Sequence, residues 1–132
     1  MIVLTKLFRP RHFLVVAGIV LVTLGAAGAM RLLSSISSAA LFNPPNWINW
    51  VHLAFGMLVF AAALVGSHAL QNTMALGGGI IGTILGLSGL LLGSYAANRY
   101  SMPELADPSE HLAHLTVGAL ALWAWSNREL LA

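Results

Sequence analysis

Four apolar runs without a charged residue divide the chain: residues 13–30, 47–66, 74–97 and 111–127, of 18, 20, 24 and 17 residues. None alternates polar and apolar positions in the way of a membrane barrel strand, whose pattern repeats over about 10 residues. A helix rises about 1.5 Å per residue, so about 20 residues cross a hydrocarbon core about 30 Å thick. Backbone N–H and C=O groups find no water there and bond only within a helix or a closed barrel. The pattern therefore predicts four membrane helices, at about 12–33, 46–68, 74–98 and 108–127, forming one domain over residues 1–132. Residues 67–73 read as a short polar connection. Gly77-Gly78-Gly79 reads as a flexible entry into the third helix, or as a half-helix break.

Composition agrees with that solvent. Hydrophobic residues make up 58% of the chain and charged residues 8%, against about 25% in average globular proteins. So few charges cannot coat a soluble fold of this size, and the expected class is an all-α membrane protein. The formal net charge of +2 comes from scattered bases and forms no stripe for nucleic acid. Without cysteine, disulfides and thiol catalysis are excluded.

Charge also sets a direction. Lys6, Arg9, Arg11 and Arg128 fall on the side of the termini, and Arg31 and Arg99 on the other. The positive-inside rule then places both termini in the cytoplasm. Trp47, Trp50, Tyr95 and Tyr100 mark the outer interface, and Trp123 and Trp125 the inner one. A competing reading takes the basic start, the apolar run and Ala27-Gly28-Ala29 as a cleavable signal peptide.

An internal repeat supports retention of the first helix. His52-Leu53-Ala54-Phe55-Gly56 and His114-Leu115-Thr116-Val117-Gly118 both read H-L-x-x-G, each just inside the outer end of its helix. Gly18 and Gly25 are spaced as Gly82 and Gly89 are, which aligns the first helix with the third. Two helical hairpins of the same orientation follow, making an up-down four-transmembrane-helix bundle of two parallel hairpins. Gly82, Gly86, Gly89 and Gly93 form one stripe of the third helix. Gly18, Gly25 and Gly28 form a looser one on the first. Such stripes let helix backbones approach closely; the alternative is that they leave room for a flat cofactor.

Leu41-Phe42-Asn43-Pro44, then Asn49-Trp50-Val51-His52-Leu53-Ala54-Phe55-Gly56, read L-F-x-P…N-x-x-H-L-x-x-G, and a second H-L-x-x-G opens the fourth helix. With the glycines of the first and third helices, this resembles a family of small bacterial four-helix membrane proteins of unknown function, over about residues 13–125. The chain departs from it in carrying His111 where the family has a polar residue such as Asn. The resemblance implies a four-helix fold with both termini inside, and no particular reaction or cofactor.

His52 and His114 are the candidate functional residues, since ionisable groups inside a span face the bundle rather than lipid. With Asn49 and His111 one turn before them, they read as a polar latch beneath the outer loops. A sharper reading makes them axial ligands of a haem or chlorophyll-type pigment. A third lets His111 and His114 share a metal ion with Glu104, Asp107 and Glu110. Asp107 or Ser109, Pro108 and Glu110 also make an ordinary helix start. The serines at 34, 35, 37 and 38 have no base at a defined spacing. The expected function is non-enzymatic: a structural or accessory subunit whose partners are the bilayer and other membrane subunits, with no nucleic acid. The rivals are a cofactor-binding subunit using His52 and His114, and a transporter for a small solute.

Overall fold

A computed structural model describes residues 8–32, 46–100 and 108–128. They form four helices: α1 (Pro10–Ala29), α2 (Asn46–Val65), α3 (His68–Tyr100) and α4 (Pro108–Ser126). No strand occurs among the described residues. α1, α3 and α2 from Trp47 are long and apolar enough to cross a membrane. α4 is not among them, because its first turns carry Ser109, Glu110, His111 and His114 and dilute the apolar run.

The helix ends follow from local chemistry. α1 starts with Pro10 in the first turn behind an extended Arg9, where the missing proline N–H costs nothing. It stops earlier than the apolar run suggests because Arg31 adopts φ 58°. The N–H of Leu32 donates to Ala27 O at 2.9 Å and that of Arg31 to Gly28 O at 2.9 Å, closing the helix in a Schellman turn. α3 begins at His68, so most of the stretch read as a connection is helical. Ser67 caps it: its hydroxyl accepts from the Leu70 N–H at 3.3 Å, and its carbonyl accepts from Gln71 at 3.0 Å. The polar residues that look like a loop are thus the first turns of a helix. Gly77, Gly78 and Gly79 lie within it, and the helix runs through them unbroken.

The packing is that of a protein whose solvent is lipid. The buried core is small, with Ala63, Ala75 and Ala124 at 0% exposure, while Val16, Ile84 and Leu91 stand out at 61%, 60% and 80%. Small residues inside and large apolar ones outside are what helix association needs when lipid tails are as apolar as leucine. Among the described residues, Leu14, Val59 and Ala63 form a buried apolar cluster against which Met74 also packs.

Two helix pairs carry the seams, and both follow one scheme. A Cβ on Gly18 would strike Phe60, one on Gly25 would lie 2.5 Å from Leu53 N, and one on Gly28 would run into the Asn49 side chain. In the other pair, a Cβ on Gly79 would strike Leu122, one on Gly86 would lie 2.6 Å from Leu115 N, and one on Gly89 would run into the His111 ring. Residue numbers rise on one helix as they fall on the other, so α1 with α2, and α3 with α4, are antiparallel hairpins. The matching partners correct the alignment that spacing alone suggests. Gly18, Gly25 and Gly28 correspond to Gly79, Gly86 and Gly89, each 61 positions on, and Gly82 stands where the first hairpin has Leu21. In that register Gly18-Ile19-Val20 matches Gly79-Ile80-Ile81, and Leu24-Gly25 matches Leu85-Gly86.

The hairpins meet at the end that holds the start of α1. Gln71, 4% exposed, directs its amide N–H groups at Ala62 O (3.3 Å), Ala63 O (3.1 Å) and Gly66 O (3.1 Å). It thereby adds a donor to carbonyls of the last turn of α2, where helical partners run out; Ala62 O also keeps the Gly66 N–H at 2.9 Å. Arg11 Nε donates to Ala63 O at 3.2 Å. Across the same end, Phe8 stacks on Trp123 with ring centroids 4.4 Å apart, and Asn127 Nδ2 donates to Phe8 O at 3.4 Å.

Candidate functional site: a histidine-headed cleft between α1 and α4

With the glycine faces of α1 and α3 turned to their own hairpin partners, the outward edges of α1 and α4 leave a cleft of about 340 Å³. α1 contributes one wall from His12 to Leu24, with Phe8 just ahead of the helix, and α4 the other from Glu110 to Leu120. Most of the lining is aliphatic, with Val16, Val20 and Val117 among the exposed side chains. The polar groups are His12 toward the start of α1, and His52, Glu110 and His114 at the other end.

His52 and His114 therefore share one cleft, although α2 and α4 belong to different hairpins. The packing scheme explains this. Each histidine sits four residues before the glycine (Gly56, Gly118) that presses on its partner helix, so the two rings hold equivalent places in their hairpins. His52, His114 and Glu110 line the same cleft. His114 is oriented by its own helix: Nδ1 lies 2.9 Å from Glu110 O. A carbonyl only accepts, so Nδ1 carries the proton, and in the neutral ring Nε2 is the remaining acceptor.

The other candidates are placed differently. His111 packs against Gly89 in the α3–α4 seam. Asn49, 4% exposed, occupies the equivalent place against Gly28. These two seal seams and do not line the cleft. Among the described residues no group of three or more His, Cys, Asp or Glu side chains is arranged to hold a metal ion; Glu104 and Asp107 lie outside them. The cofactor slot that the glycine stripes suggested is filled: Gly18, Gly25, Gly82, Gly86 and Gly89 meet the partner helix at contact distance or closer. Gly93 is buried as well. Thr83 Oγ1 is buried in the α3–α4 seam without a hydrogen-bond partner.

Glu110 reads in sequence as a dipole-compensating residue at a helix start, yet it joins the histidine end of the cleft. Nothing in the pattern separates Val16, Val20 and Leu24 from other apolar residues of a span, so the α1 wall was not legible. The chain matches no family model, no curated protein and no solved structure, so the functional reading rests on this geometry.

Proposed function

We propose that the chain is a small integral membrane protein of the bacterial inner membrane, with both termini cytoplasmic, acting as a non-enzymatic accessory subunit of a larger membrane assembly. In this reading α4 crosses the bilayer with the other three helices. The two hairpins then stand in parallel around a pseudo-twofold axis along the membrane normal, as the repeated H-L-x-x-G motif suggests. The observation that carries the proposal is the inverted packing. Seams of glycine and alanine hold each hairpin together, while Leu58, Ile84 and Leu91 face outward at 59%, 60% and 80% exposure. That surface suits lipid and neighbouring helices.

A haem- or chlorophyll-type cofactor retains its pair of histidines but loses the glycine slot, which supports the accessory reading over it. The same filled seams weigh against a solute path along the glycines. The test is photo-crosslinking in native membranes from residue 58 on α2, residues 84 and 91 on α3 and residue 112 on α4. The expected result is a single protein partner captured from one side of the bundle, and a colourless purified protein. Visible absorption abolished by His52→Ala or His114→Ala would overturn the reading in favour of the pigment subunit. Lipid adducts alone from every position would overturn the accessory role.

A further inference from the structure

The cleft has the shape of one extended chain. Its α1 wall runs from His12 to Leu24, about 18 Å at about 1.5 Å per residue. A volume of about 340 Å³ drawn out over that length is one hydrocarbon chain wide. A bare trough on a membrane helix takes any bilayer chain. This one differs at its end, where His52, Glu110 and His114 converge. Ligand sites between bundle helices have this construction, apolar walls with a few polar groups that orient the occupant.

The polar end has a definite hydrogen-bonding sense. His114 commits its Nδ1–H to Glu110 O and leaves Nε2 as an acceptor. The head group that complements it is one that donates. We propose that the cleft binds a single-chain lipid whose head is a hydroxyl-bearing ring, of the quinol or long-chain phenol class. The chain lies along Val16, Val20 and Leu24, and the hydroxyl donates to His114 Nε2, with His52 and Glu110 beside it. The inference rests on the membrane placement above and goes beyond the accessory role.

The test uses the purified full-length protein in detergent micelles with three probes of equal chain length: decylubiquinol, decylubiquinone and decane. Decylubiquinol raises the thermal midpoint saturably. Decylubiquinone, whose ring oxygens only accept, binds about tenfold more weakly, the effect of one misplaced hydrogen bond. Decane does no more than added detergent. Val20→Trp, at a position 47% exposed, fills the trough and abolishes the shift while leaving the unliganded midpoint near that of the wild type. His114→Ala loses the shift, and His114→Gln, which can present an oxygen near the place of Nε2, recovers part of it. Equal responses to all three probes, no response to any, or an unchanged response in Val20→Trp would overturn the proposal. So would cysteine crosslinks between copies through position 16, which would make a second chain the occupant. Carbonate-resistant protein that binds none of the probes sinks this inference alone. Carbonate-extractable protein sinks the membrane reading with it.

Discussion

Thr83 and Val22 hold equivalent places in the two hairpins. A Cβ on Gly118 would lie 2.8 Å from Thr83 Oγ1, and one on Gly56 would lie 3.0 Å from Val22 Cγ2. The first hairpin thus places a methyl where the second places a hydroxyl, and the hydroxyl is buried without a partner. An unpaired buried hydroxyl costs about 1–3 kcal/mol, whereas an apolar group of the same shape costs nothing of the kind. Thr83→Val is therefore expected to stabilise the bundle by about 1 kcal/mol, read as a shift in a denaturation curve in micelles. A loss of stability would mean that the hydroxyl has a partner the packing does not reveal.

At the scale of helices, the glycines separate into two kinds. Gly25 and Gly86 meet backbone of the neighbouring helix, with a Cβ 2.5 Å and 2.6 Å from the N atoms of Leu53 and Leu115. Backbone cannot rotate away, so the helices must part. Gly25→Ala and Gly86→Ala should each cost about 1–3 kcal/mol, the usual penalty of overpacking. Gly77 and Gly78 have nothing within 4 Å of an added Cβ. There an alanine removes the helix penalty of glycine, so Gly77→Ala should stabilise α3 by about 0.5–1 kcal/mol. Thermal unfolding of the three variants side by side checks both signs. A destabilising Gly77→Ala would restore the hinge that the sequence alone leaves open. These glycines are indistinguishable by spacing: Gly77 to Gly79 are consecutive, and the line between them is drawn by which face α4 covers.

For the molecule as a whole, Gln71 is the polar tie between the hairpins. Its two amide hydrogens are shared among three carbonyls at the end of α2, of which Ala62 O also accepts from the Gly66 N–H and Ala63 O from Arg11 Nε. Gln71→Leu takes a donor from all three at once and is expected to cost about 1–3 kcal/mol. The loss should show as faster amide hydrogen exchange around residues 62–71, with the α1–α2 seam near Gly25 unchanged. Uniformly faster exchange would instead mean that the four helices open as a single unit. The hairpin structure itself was readable from the two H-L-x-x-G motifs. Its register was not, because Gly82 offers the same seven-residue spacing to Gly89 that Gly79 offers to Gly86, and spacing carries no record of which glycine a neighbouring backbone touches.

Charge-free runs of helix-crossing length were enough to announce an apolar solvent, helices and paired histidines at one depth, because those properties follow from the order of residue types along one chain. The start of α3, the fate of the glycine stripes and the cleft that joins His52 to His114 depend on which faces of separate helices come together. Gln71 looks like loop until the end of α2 supplies its acceptors. Val16 and Val20 look like any lipid-facing residue until α4 stands beside them. Apolar side chains carry no directional signal of their own, so the neighbour that gives each one its role is set by helix packing.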